Sequence, residues 1–65
     1  MPSSVISYYR YDEVSKTLRI VFLSGAVYDY KEVPRRVYDA MRGALSKGTF
    51  LNLNVKGKYV FKKIK

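Results

Sequence analysis

The chain has no cysteine, no histidine and no tryptophan. Without cysteine there is no disulfide to brace the fold and no thiolate to bind metal or attack a substrate. Without histidine the usual zinc ligand sets and His-based triads are excluded too. No stretch approaches the roughly 18 apolar residues that a membrane span needs, and the N-terminus lacks the charged-then-apolar pattern of a secretory signal. The four glycines are scattered, so no phosphate-cradling loop is formed. The acidic residues Asp12, Glu13, Asp29, Glu32 and Asp39 fall at turns or opposite basic neighbours, and no pair has a spacing that implies an activated nucleophile or a general base. These absences predict a non-enzymatic protein of a reducing cytoplasm, with no cofactor and no metal.

What is present is basic and aromatic. The 65 residues form one expected domain, 1–65, with seven tyrosines and three phenylalanines to build a small core. A chain this short buries only about 60% of the surface its unfolded form exposes, so its stability is expected to be marginal. The net charge of +8 is unevenly placed. Residues 1–34 carry four basic and four acidic side chains, whereas residues 35–65 carry nine basic side chains against Asp39 alone. Such asymmetry favours an anionic partner, RNA or another nucleic acid foremost. The alternative is a protein partner, with the charge serving solubility. Anionic lipid is disfavoured, because the helix proposed below carries only Met41, Leu45 and small apolar residues, with no Trp or Phe to anchor it. Oligomeric state is left open.

The stretch Val27-Tyr28-Asp29-Tyr30-Lys31-Glu32-Val33-Pro34 organises the chain. It reads as a strand closed by a proline that opens a helix. Before it, residues 5–11 are rich in β-branched and aromatic types and read as a first strand, with apolar residues on both parities. Asp12 is suited to close the polar turn that follows. Residues 17–23 form a second strand, with Leu18, Ile20 and Phe22 on one face and Arg19 and Val21 on the other. Ser24-Gly25 marks the next turn. A two-residue loop would pair Phe22 with Val27 and put Tyr28 and Tyr30 on the Arg19 face. A three-residue loop (residues 24–26) would pair Phe22 with Tyr28 and Ile20 with Tyr30, on the core face. The second is favoured, because the first places Asp29 and Lys31 among Leu18, Ile20 and Phe22.

Pro34 suits the first helical position. Steps of about 100° per residue put Val37, Tyr38, Ala40, Met41, Ala44 and Leu45 on one arc, with Arg35, Arg36, Asp39, Arg42 and Ser46 opposite. This predicts an amphipathic helix over residues 34–45, with Gly48 just past its end. Asp39 is spaced to pair with Arg35 or Arg42, which leaves Arg36 without a partner within one turn. Residues 49–56 fit either a strand or a short helix capped by Thr49. Residues 58–65 fit either a last strand or an extended tail pinned by Tyr59, Phe61 and Ile64. The fold expected is α+β: a three-stranded antiparallel β-meander packed against one amphipathic helix, followed by a short helix or extended C-terminal segment.

The order Ser-x-x-Ile ending at Ile6, Tyr11-Asp12, Leu18-x-Ile20-x-Phe22, Gly25, Tyr28-x-Tyr30, Val33-Pro34, Val37-Tyr38, Ala44-x-Ser46-x-Gly48, Phe50-x-Asn52 and Lys56-x-x-Tyr59 resembles the KTSC domain. The resemblance runs from about Ser3 to Ile64, and Tyr-x-Tyr followed by Val-Pro is its most specific piece. It departs from the pattern at Leu51, where an aromatic is expected. The resemblance implies a small module found at the C-terminus of some lysyl-tRNA synthetases and as a free-standing bacterial protein, with RNA binding expected by that association. The candidate nucleic-acid-binding residues are Arg35, Arg36 and Arg42 on the helix, and Lys56, Lys58, Tyr59, Lys62 and Lys63 in the tail. There lysines for phosphates alternate with aromatic faces for bases. Tyr28 and Tyr30 are read as core on the favoured register and as a stacking platform on the other.

Overall fold

Strand signals and turn chemistry decide the first half of the chain. The structure, a computed structural model, describes residues 6–65; Val5, expected to open the first strand, lies outside them. Strands β1 (Ile6–Asp12), β2 (Thr17–Phe22) and β3 (Val27–Tyr30) form the expected antiparallel meander. Asp12 closes the first turn by accepting hydrogen bonds from the Val14 N–H and the Ser15 hydroxyl, each at 3.0 Å. In β1 the partner of Ile6 is Phe22 and that of Tyr8 is Val21, so Ser7 is an extra residue, a β-bulge. The bulge accounts for the apolar residues on both parities. It brings Ile6 to the same face as Tyr9 and Tyr11.

The β2–β3 loop has three residues, but they are 23–25. Phe22 donates its N–H to the Ala26 carbonyl at 2.9 Å and accepts one from Gly25 at 2.9 Å. Gly25 holds φ +96, a conformation that L side chains resist. Ile20 therefore faces Tyr28, and Leu18 faces Tyr30. Both tyrosines lie on the expected face, but the pairing is displaced by two residues. Leu23 belongs to the turn, where it is 69% exposed, and its apolar character alone had assigned it to the strand.

Two corrections concern the second half. The helix expected over residues 34–45 is shorter, α1 (Arg35–Arg42), and of the alternatives for residues 49–56 the short helix is the one formed, starting earlier, as α2 (Lys47–Asn54). Gly43 caps the C-terminus of α1, and Pro34, extended at ψ 151, is its N-cap rather than its first residue. The Ser46 hydroxyl accepts the Thr49 N–H at 3.3 Å and so caps the start of α2, a role expected of Thr49 itself. Gly48, expected beyond a helix end, is buried within α2. The sheet also has four strands instead of three: β4 (Phe61–Lys63) pairs antiparallel with β3, in the order β1-β2-β3-β4. The last-strand reading of the tail was the right alternative.

One face of the sheet is covered. Leu18, Ile20 and Tyr30 are buried there with Val33, Met41, Leu51 and Val55 from the helical segment. Full burial of side chains of this size contributes about 1.5–3 kcal/mol each. Leu45, placed on the buried arc by helical periodicity, is fully exposed, because α1 has already ended at Arg42. Ala40, from the same arc, is exposed as well. The corner between β3 and α1 is fixed by the Tyr11 hydroxyl, which donates to the Val33 carbonyl at 2.6 Å, and by the Val33 N–H, which donates to the Lys16 carbonyl at 2.8 Å.

Candidate nucleic-acid interface

The helix arginines are largely engaged. Arg35 meets Glu13 at 2.7 Å and Asp39 at 3.2 Å. Those two hydrogen bonds, Asp39 first and Glu13 second, raise its pKa further, so it stays charged. Arg42 lies 3.8 Å from Asp39. Both guanidinium groups also sit over the Tyr38 ring, 5.9 and 5.8 Å from its centre. Tyr38 is stacked in turn on Tyr11, with centroids 4.8 Å apart. Arg35 and Arg42 thus form a structural cap on the tyrosine pair. Arg36 is exposed and, among the described residues, makes no ion pair, so it is the freest cation of the three.

The tail is divided by strand pairing. Alternation along β4 sends Phe61 and Lys63 to the helix-side face and Lys62 to the opposite face. Lys63 lies opposite Tyr28 and Phe61 opposite Tyr30, whereas Lys62 lies opposite Asp29. Phe61 is 54% exposed, and its ring stands 5.5 Å from that of Tyr28 and 5.8 Å from that of Tyr30. Tyr28 continues edge-on to Phe22 at 5.6 Å, and the Lys56 ammonium lies 5.5 Å from the Phe22 ring centre. The result is an aromatic ledge, Phe22–Tyr28–Phe61, bordered by Lys56 and Lys63. Lys58 is exposed beyond it, and Tyr59 is half-buried against the core.

The structure therefore brings together Lys56 and Lys63 of the expected residues, and separates them from Lys62 and from the α1 arginines. Phe22, Tyr28 and Phe61 complete the ledge. Composition alone does not single them out, because their grouping depends on the β3–β4 pairing. Tyr30 is core, 3% exposed, and Tyr28 is the half-buried rim of that core. Both tyrosines thus lie on the core face of the favoured reading, Tyr30 within the core and Tyr28 packed against it.

On the opposite face Asp29 is 5% exposed. Arg19 donates to its two carboxylate oxygens from Nε at 2.7 Å and from a terminal nitrogen at 2.9 Å. That hydrogen bonding holds the Asp29 carboxyl below the usual carboxylate range, against the upward push of desolvation. Among the described residues no group of three metal-ligating His, Cys, Asp or Glu side chains occurs, and no helix is long and apolar enough to cross a membrane.

A four-stranded antiparallel sheet with two short helices on one face defines a small α+β module. The family profile of the KTSC domain matches residues 2–59, and the chain belongs to that family. A crystal structure of a KTSC domain protein from Yersinia pestis superimposes with a TM-score of 0.89 at 34% identity, covering 100% of this chain and 94% of that one. A lysine–tRNA ligase of Nostoc punctiforme is 41% identical over 61 residues, and one of Trichormus variabilis is 38% identical over the same length. The chain spans 11% of the length of each ligase, and 94% of its own length is matched. A protein of Tsukamurella paurometabola is 40% identical over 57 residues, which cover 88% of this chain and 85% of that protein.

Proposed function

We propose that this KTSC domain is a non-enzymatic binding module for RNA or another polyanion, working in the cytoplasm. The observation that carries the reading is the exposed Phe61 ring beside Tyr28, on a ledge where Lys63 lies opposite Tyr28 and Lys56 over Phe22. Aromatic faces accept bases of any sequence at about 1–3 kcal/mol each, while lysines neutralise the neighbouring phosphates. Lys58, exposed beyond the ledge, adds to its cationic surface, whereas Arg36 and Lys62 lie apart from it. The occurrence of the same domain within lysine–tRNA ligases supports the choice of RNA by association.

The test is an NMR titration of labelled protein with a short structured RNA and with a mixed-sequence single strand, at about 50 and about 200 mM salt. Shifts are expected at Phe61, Tyr28, Lys56 and Lys63, fading at the higher salt. Phe61→Ala is expected to weaken binding by roughly 5- to 150-fold, the loss of one stacked base. An absence of shifts at both salts overturns the reading. It would favour the alternative, a protein–protein interaction or assembly module, which draws on the exposed Leu23, Leu45 and Leu53. Binding of that kind depends little on salt.

A further inference from the structure

Residues 1–34 are neutral in sum, yet the fold does not leave them neutral in space. Glu13 is drawn to Arg35, and Asp12 is held in its own turn. The face of the sheet away from the helices is left with two parallel rows. Strand pairing builds one row from Tyr8, Val21 and Val27, which Ile64 continues by donating its N–H to the Val27 carbonyl at 2.7 Å. The adjacent row reads Arg10, Arg19, Asp29, Lys62 across all four strands. Two residues along a strand separate the rows by about 6.7 Å, and three strand spacings give the cationic row a width of about 14 Å.

The second row contains an unresolved repulsion. Arg10 and Arg19 stand directly opposite each other, a like-charge pairing that destabilises a sheet. The row's single carboxylate offsets the charge of Arg19 and leaves that of Arg10 uncompensated. Asp29 is buried, bound by two hydrogen bonds to Arg19, and approached by Lys31 at 4.0 Å. Arg10 makes no ion pair among the described residues. Asp29 instead fixes the Arg19 guanidinium, on a side chain that remains 46% exposed. A concavity of about 530 Å³ opens here, lined by the cations Arg10, Arg19 and Lys31 and by two carboxylates, Asp12 held in its own turn and Asp29 held by Arg19. An oxyanion seated there would turn the repulsion into attraction on both sides, and guanidinium groups suit phosphate oxygens in paired geometry.

We propose that this uncovered face seats the phosphodiester backbone of a single-stranded RNA, with one phosphate between Arg10 and Arg19 and an adjacent base on Tyr8. The inference rests on the RNA-binding reading above but concerns the opposite face of the sheet. A free phosphate would use only the Arg10 end of the row. A strand of several nucleotides uses its full width, with Lys62 at the far end and Tyr8, 54% exposed, in the neighbouring row as a stacking surface. A strand lying there would leave the Phe61 ledge free, so one domain would hold two segments of the same RNA.

The test compares the binding of a fluorescent mixed-sequence single-stranded RNA to the wild type, Arg10→Gln, Tyr8→Ala and Phe61→Ala. Arg10 is exposed and unpaired, so its replacement leaves the fold intact. Arg10→Gln is expected to weaken binding several-fold for every sequence and to reduce the slope of log K against log salt by about one. Tyr8→Ala is expected to weaken it without changing the slope. Unchanged affinity and slope in Arg10→Gln, with a loss in Phe61→Ala, overturns this inference and leaves the ledge as the binding site. Failure of the wild type to bind at low salt overturns both. Competition at the Arg10 face by an acidic peptide, with no effect of RNA there, overturns it in favour of a protein partner.

Discussion

Asp29 shows how one side chain can be legible in type and hidden in role. Its charge was reason enough to keep it off the core face, and Tyr28 and Tyr30 do lie on that face. Its partner was not legible, because Arg19 becomes its neighbour only once the loop is residues 23–25. Leu23 misled the pairing for the same reason: an apolar residue at a strand end looks the same in sequence whether it pairs or turns. The pair sets a pH dependence with a definite sign. The folded carboxyl titrates below its unfolded value of about 3.9, so its stabilisation is full above that pH and is lost as pH falls through the folded value. Arg19→Gln is expected to be less stable than wild type at pH 7, with the gap narrowing below about pH 4 and closing as pH falls through the lowered value of wild-type Asp29. Urea denaturation from pH 7 to pH 2 measures this. A gap of constant size would show that the ion pair is not its source.

At the scale of elements, most of the sheet and the existence of α1 were readable, and the helix boundaries were not. Alternation and turn residues located β1 and β2 to within a residue and the start of β3, but β3 ends at Tyr30, short of the proline expected to close it. Periodicity alone, however, carries a helical arc past its true end, since Gly43 fits a wheel as easily as alanine does. The break after Arg42 is stabilised from outside α1. The Lys47 ammonium donates to the carbonyls of Arg42 at 3.2 Å and Ala44 at 2.9 Å, satisfying acceptors that the helix end leaves free. Ser46 then supplies the cap that lets a second helix begin. Ser46→Ala is expected to cost about 1 kcal/mol in chemical denaturation. The candidate site was half legible in consequence. Lys56 and Lys63 were named, but the ledge they border exists only because β4 joins the sheet, and a three-residue strand carries too little pattern to announce itself.

For the molecule as a whole, the excess of cations is the dominant long-range force. The carboxylates Glu13, Asp29 and Asp39 are all engaged by arginines, while Arg10, Arg36, Lys58 and Lys63 have no ion-pair partner among the described residues. Net self-repulsion should exceed the gain from the exposed pairs. The midpoint of thermal unfolding is therefore expected to rise as salt increases from about 20 to about 200 mM, as screening takes hold. A falling midpoint in the same scan would mean that the network around Arg35 and Asp39 outweighs the repulsion. The irregularity at Ser7 has a consequence of a different kind. β1 and β4 are the two margins of the sheet, and an open margin invites the strand of another molecule, then another. β4 is short and carries two lysines, which discourages such growth. β1 is longer, and there the extra residue twists and interrupts the row of hydrogen-bonding groups while Arg10 adds charge. Loss of Ser7 would straighten that margin, so the same flaw in the ladder that gathers Ile6 into the core also keeps crowded copies of the protein from knitting into fibres.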